Sequence, residues 1–239
     1  MKFVAVIPAR WQSSRFPGKP LALLNNKPII QHVYENVLNS GIFEQVIVAT
    51  DSQNIIDAVH AFGGIAQMTS SEHHSGTDRV AEVCQNLDFD IVVNVQGDEP
   101  FISAEPLKLL ADAFHDPQVK VASLMHLIFG KIDDYNQVKV VCDNQGNALY
   151  FSRSVIPCNR DFNPEAHYYG HVGVYAFRKE SLFKFIELPP AKLENIEKLE
   201  QLRLLENGIS IKMIETKYSG IGIDTPEDLA QAEKKFQKK

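Results

Sequence analysis

VIVATDSQNIIDAVHAFGG, from Val46 to Gly64, puts a short unbroken apolar run, a cluster of capping residues and an amphipathic helix in immediate succession. Thr50, Asp51 and Ser52 offer caps for a helix whose apolar face is Ile55, Ile56, Val59 and Phe62, and Gly63 and Gly64 close it. A strand that is apolar throughout, rather than alternating, belongs to a parallel sheet covered on both faces.

The same grammar repeats on either side. Upstream, Phe3 to Ile7 is an apolar run, and Ile30, Val33, Tyr34, Val37 and Leu38 recur at helical spacing between Pro28, placed as a first helical residue, and a stop at Gly41. Downstream, the polar segment MTSSEHHSGTDR leads into a helix marked by Val80, Val83, Cys84 and Leu87. Ile91 to Val95 is the next strand, QGDEPF follows it, and Leu107, Leu110, Ala111 and Phe114 mark another helix started by Ser103 and Pro106. Val121 to Leu127 is a further strand candidate. The expected fold class is therefore α/β, a doubly wound and mostly parallel sheet with functional loops at the strand C-termini.

From about Asp133 the pattern changes. Val138 to Cys142 and Ala148 to Phe151 flank the hairpin-type turn DNQGN, which predicts a smaller mixed or antiparallel insertion spanning about 133–178. SRSVIPCNRDFNPEAHYYG is rich in turn formers and aromatics, and His171 to Phe177 returns as a strand. After Pro189 and Pro190, one long helix is expected to carry Ile196, Leu199, Leu202 and Leu205 to Gly208, with a strand at Ile209 to Ile214. The last helix is capped by Thr225, with Pro226 first and Asp228 third, and ends in the basic tail Lys234 to Lys239. No repeat, low-complexity segment or linker divides the chain, so a single domain over 1–239 is expected.

Composition narrows the function. The 239 residues are 44% hydrophobic and 23% charged with a net charge of −6, which argues against a general nucleic-acid or anionic-membrane surface. Cys84, Cys142 and Cys158 are odd in number and form no C-x-x-C pair, which suggests neither a disulfide framework nor a zinc site. The first apolar run is too short for a secretory core and is followed by arginines, and no window approaches a membrane span. The expected location is the cytoplasm, without membrane insertion.

The chemistry gathers around the loop after the first strand. Arg10, Arg15 and Lys19, interleaved with Ser13, Ser14, Pro17, Gly18 and Pro20, form either a solvated basic loop or a nest for a polyphosphate. Neither G-x-G-x-x-G after a strand nor G-x-x-x-x-G-K-[ST] occurs, so neither dinucleotide binding nor a P-loop is indicated. Asp98 follows an apolar strand, where it is either a turn residue after Gly97 or a carboxylate holding Mg²⁺ against phosphate oxygens. Asp224 ends an apolar run just before a helix, where it is either a residue beside an N-cap or a second metal-holding carboxylate. His73 and His74 have no further ligand at metal spacing and read as loop residues.

Taken in order, IPARWQSSRFPGKPL, HHSGTDR, VVNVQGDEP, YFSRSVIP, HVGVYAF, LEQLRLLENG and GIDTPEDL resemble the 3-deoxy-manno-octulosonate cytidylyltransferases over nearly the whole chain. The resemblance implies a Rossmann-like nucleotidyltransferase fold and a Mg²⁺-dependent, usually homodimeric enzyme. The reaction it implies makes CMP-Kdo and pyrophosphate from CTP and the eight-carbon acid sugar Kdo, for lipopolysaccharide synthesis. By that resemblance Arg10, Arg15 and Lys19 hold the triphosphate, Asp98 and Asp224 the metal, and Lys19 meets charge at the leaving group. Cytosine falls to backbone near Pro8 and Ala9 and to the segment around Ser75, Gly76 and Thr77. The sugar acid falls to Arg79, Gln96, Arg153, His171, Tyr175, Glu200 and Gln201. Alternatives are an amino-substituted Kdo or a sialic-acid-type sugar as acceptor. From other classes come a metal-dependent glycosyltransferase, for which Asp98-Glu99 lacks the Asp-x-Asp spacing, and a non-catalytic CTP-binding protein.

Overall fold

A computed structural model describes residues 1–12, 15–73, 75–220 and 222–236. Ser13 and Ser14 of the opening loop, His74, and the last three residues of the basic tail lie outside the described residues. In chain order the elements are β1 (Phe3–Pro8), β2 (Leu23–Leu24), β3 (Lys27–Pro28), α1 (Ile29–Asn39), β4 (Gln45–Thr50), α2 (Gln53–Ala61), β5 (Ala66–Met68), α3 (Gly76–Cys84) and β6 (Ile91–Asn94). Then follow α4 (Ala104–Asp112), β7 (Val121–Leu127), β8 (Lys139–Cys142), β9 (Ala148–Ser152), β10 (Tyr169–Arg178), α5 (Lys179–Glu187), α6 (Lys192–Glu197), α7 (Leu202–Glu206), β11 (Ile211–Glu215) and α8 (Pro226–Phe236). The chain forms two compact units, one of Met1–Lys108 with the segment from Gly220 onward, the other of Leu109–Ser219.

In the first unit β1 is flanked by β4 and β6, with β5 outside β4, and all these pairings are parallel. Val4 to Pro8 align with Gln45 to Ala49, and Phe3 to Val6 with Ile91 to Asn94. β1, β4 and β6 are buried on both faces, as their unbroken apolar runs require. The path β1 to β4 to β5 runs to one side and then returns to β6 on the other side of β1. Right-handed crossovers therefore put α1 and α2 on one face and α3 on the opposite face. The order reverses between β1 and β6, and the crevice beyond such strand ends is where α/β sheets bind ligands. Local details differ from expectation: Pro28 precedes α1 instead of starting it, Leu38 is exposed, and Ser52 at the start of α2 makes no side-chain cap.

In the second unit β7 pairs parallel with β11 and antiparallel with β10, and β10, β8 and β9 continue antiparallel. The DNQGN turn closes as expected, with Gly146 at φ 77° and Asp143 Oδ1 accepting from the backbone N–H of Gln145 and Asn147 at 2.9 and 2.8 Å. Together the parallel sheet of the first unit and the mixed sheet of the second are the α/β class that the sequence pattern implies. The single long helix does not form. It is broken into α6 and α7 at Lys198, which adopts φ 56°. The carbonyls of Glu197 and Lys198 accept from the Arg153 guanidinium at 2.9 and 3.5 Å instead of continuing a helix, and Ile196 points to solvent.

Candidate active site

β1 delivers the chain to the crevice. Ala9 still bonds β4, its N–H donating to Ala49 O at 2.8 Å, and the loop then leaves the sheet. Gly18 turns it back with φ 70°, where the Trp11 ring lies 3.4 Å from the position a Cβ would take. The turn that follows aims Lys19 inward. Its Nζ donates to Asp98 Oδ2 at 2.6 Å and to Asp224 Oδ1 at 3.0 Å, and Arg15 donates to Asp224 Oδ2 at 3.0 Å. Arg10, Arg15 and Lys19 line one cleft of about 210 Å³ with Pro8, Ala9 and the two aspartates.

Each aspartate is fixed by backbone. Gly97 lets the loop after β6 pass close to β1, since a Cβ there would sit 2.8 Å from Pro8 O. The Ile223 N–H donates to Asp98 O at 2.9 Å, which ties the two aspartate-bearing segments together. Asp228 Oδ2 accepts from the N–H of Thr225 at 2.9 Å and of Asp224 at 3.1 Å, and Thr225 Oγ1 accepts from the Asp228 N–H at 3.2 Å, forming the expected cap of α8. Ile223, fully buried with Leu24, Ile29 and Ala232 and backed by Phe16, Phe101 and Phe236, anchors α8 to the opening loop. Burying such a side chain contributes about 2 kcal/mol.

The cleft carries three cations against two carboxylates. Burial opposes the Lys19 ammonium, but Asp98 and then Asp224 outweigh it and hold its pKa above the ordinary value. Burial likewise works to raise the Asp224 carboxyl, and the Lys19 and Arg15 cations overcome it and hold it below the ordinary value.

A second cleft of about 130 Å³ shares Pro8, Ala9, Arg10 and Gln96 with the first and adds His73, Ser75, Gly76 and Arg79. Ser75 caps α3 reciprocally with Asp78, its Oγ accepting from the Asp78 N–H at 3.1 Å. Thr77 turns into the core, where its hydroxyl accepts from Asn94 Nδ2 at 3.4 Å, and it lines neither cleft. Arg79 is buried, and its guanidinium donates to Thr69 Oγ1 and to Asp51 Oδ2, the latter at 2.9 Å. His73 pairs with Glu82, in keeping with a loop role.

The remaining expected residues lie in the second unit. The His171 ring stands between Phe151 and Tyr175, with centroids at 5.1 and 5.3 Å, and its Nε2 is 3.0 Å from Ser123 Oγ. Burial pushes its pKa down to about 3, so it is neutral at physiological pH. Burial, and then the Glu200 carboxylate, raise the Tyr175 phenol well above its usual range. Gln201 is buried, and its Nε2 has no hydrogen-bond partner among the described residues. Arg153 is spoken for by backbone carbonyls of Tyr135, Glu197 and Lys198.

Residues 4–213 match the family model described as Cytidylyltransferase. A 3-deoxy-manno-octulosonate cytidylyltransferase of Flavobacterium johnsoniae is 52% identical over 237 residues, covering 97% of each sequence. The chain belongs to the 3-deoxy-manno-octulosonate cytidylyltransferase family. Another member, from Bacteroides thetaiotaomicron, is 49% identical over 245 residues, covering 98% of this chain and 97% of the relative. A solved CMP:2-keto-3-deoxy-manno-octonic acid synthetase complexed with CTP superposes with a TM-score of 0.96 at 44% identity, covering 100% of this chain and 99% of that one. The 4-diphosphocytidyl-2C-methyl-D-erythritol synthase of Anaerococcus prevotii shares the fold, with a TM-score of 0.68 at 18% identity.

Within this cytidylyltransferase family, the first unit brings Arg10, Arg15, Lys19, Asp98 and Asp224 into one cleft. Two carboxylates close enough to share one ammonium are the oxygen donors that would fit a Mg²⁺ ion. Among the described residues no three or more His, Cys, Asp or Glu side chains are grouped to hold a metal unaided. Sequence reasoning missed Asp51, which accepts from both the Trp11 N–H, at 3.2 Å, and Arg79 and so joins the cationic loop to α3. Its place just after an apolar strand, like that of Asp98, was the available signal.

Proposed function

We propose that the chain transfers CMP from CTP to the anomeric hydroxyl of Kdo, giving CMP-Kdo and pyrophosphate for lipopolysaccharide synthesis in the cytoplasm. The observation that carries this reading is near-full-length identity to enzymes named for the reaction, joined to a cleft that gathers three cations and two aspartates. In the reaction the hydroxyl oxygen bonds the α-phosphorus, the bond from that phosphorus to the β-bridging oxygen breaks, and the hydroxyl proton leaves to solvent.

Arg10, Arg15 and Lys19 bind the triphosphate, and Lys19 moves with the charge that gathers on departing pyrophosphate. Backbone at Pro8 and Ala9, with Ser75 beside them, takes the cytosine. Asp98 and Asp224 would hold Mg²⁺, which would supply Lewis-acid polarisation of the phosphate and of the attacking hydroxyl. Arg79, through its tie to Asp51, shapes the cleft wall next to Gln96.

In the second unit His171, Tyr175, Glu200 and Gln201 bind the sugar acid. The open Nε2 of Gln201 supplies a donor, and neutral His171 donates or accepts without placing a second charge. Homodimer formation is part of the proposal, supported by the exposure of Phe129, Tyr135, Leu149, Phe162 and Ile196 in that unit. Pyrophosphate release from CTP and Mg²⁺ tests the reading, with Kdo run beside neuraminic acid and UTP run beside CTP. Release confined to Kdo with CTP is expected, and no release with any α-keto acid sugar would overturn it.

A further inference from the structure

β8 opens with Lys139, a lysine that has no exposed surface. A buried ammonium is tolerated only when its three N–H groups all find acceptors. Those of Lys139 do: Nζ donates to the backbone carbonyls of Asp134 at 2.7 Å, Gln137 at 2.8 Å and Arg153 at 2.7 Å. Burial draws its pKa down, and the nearby carboxylates of Asp134 and Asp133 act against that. The three carbonyls come from two segments, the loop before β8 and the residue just after β9, so one internal cation joins them.

The joint extends on both sides. Arg153, whose carbonyl Lys139 holds, donates through its guanidinium to Tyr135 O at 3.0 Å and Glu197 O at 2.9 Å. The Glu197 carboxylate in turn accepts from the Arg153 N–H at 3.0 Å and Ser152 Oγ at 2.6 Å. Three and four residues on stand Glu200 and Gln201. In the loop, Gln137 Nε2 lies 3.4 Å from His126 Nε2, and the carbonyl of Val138, next to Lys139, accepts from the His171 N–H at 2.8 Å.

We propose that Lys139 is a positioning residue for the acceptor sugar, a built-in cation that clamps the 134–137 loop to the end of β9. Through Arg153 and Val138 it sets the places of Glu200, Gln201 and His171. The inference rests on the reading that these residues bind the sugar acid. Lys139→Met keeps the side-chain length and removes all three donors, and Lys139→Gln, which keeps two, carries the same readouts if the first variant does not fold.

The KM for Kdo is expected to rise at least tenfold while the KM for CTP stays within twofold, with faster amide exchange confined to residues 134–137 and 197–201. Unchanged values, or equal losses for both substrates, would overturn the clamp. If the wild-type chain does not turn over Kdo, the proposed function fails. The exchange pattern then still decides the clamp, which unaltered exchange in the variant would refute.

Discussion

Lys19 Nζ lies 2.6 Å from Asp98 Oδ2 and, on its other side, 3.0 Å from Asp224 Oδ1. One ammonium therefore bridges a carboxylate that follows β6 and another that precedes α8, and Arg15 shares the second. The same two oxygens are those proposed for Mg²⁺, so the ammonium and a divalent ion compete for them. In the proposed reading, a bound triphosphate would give Lys19 another anion to hold and free the pair.

Lys19→Met is thus expected to act in two opposite directions. Turnover falls about 10²- to 10³-fold, the size of one lost contact to charge developing at a transferring phosphoryl group. Binding of Mn²⁺ without CTP, read by calorimetry, tightens because the competing cation is gone. Weaker Mn²⁺ binding in the variant would contradict the shared-site account. Asp98→Asn removes one charge at constant shape and is expected to abolish turnover while leaving the unfolding midpoint within a few degrees.

Gly97 is required by proximity. A Cβ there would meet Pro8 O at 2.8 Å, a backbone atom that cannot rotate aside. Gly97→Ala is expected to cost about 1–3 kcal/mol of stability by overpacking and to raise the KM for CTP, because the shift separates Asp98 from the end of β1. Chemical denaturation and initial rates check both.

His171 makes stability depend on pH. Its pKa is about 3 in the folded chain, against about 6.5 when unfolded. Between those values the unfolded state binds the extra proton, so stability falls as pH drops from 6.5 towards 3. At pH 5 the loss from this group is about 2 kcal/mol. His171→Gln is expected to flatten that part of the profile while leaving stability at pH 8 less affected. Urea midpoints at pH 5 and 8 measure it, and an unchanged slope would contradict a ring held neutral in the folded chain.

Strands β1, β4 and β6 and the helices of the first unit were legible because each announces itself locally: an unbroken apolar run for a doubly covered strand and a 3.6-residue period for each helix. Thr225 and Asp228 behaved in this local way, and their cap formed as expected. What escaped depends on contacts distant in sequence. Nothing near Lys198 signals that Arg153, 45 residues upstream, takes the carbonyl of that residue and ends the helix. In the run Val138 to Cys142, Lys139 has the look of a strand residue facing water, and only the folded loop reveals three carbonyls around it. The cationic loop and both aspartates were visible as residue types at strand ends. Their convergence on Lys19 was not, because it needs α8 docked through Ile223.

The most direct test of the central claim is ³¹P NMR of CTP, Kdo and MgCl₂ incubated with the protein. The CTP signals are expected to be replaced in equal amounts by one phosphodiester and by pyrophosphate, with no change when Kdo is left out. Persistence of CTP, or its conversion to CDP and inorganic phosphate whether or not Kdo is present, would contradict it.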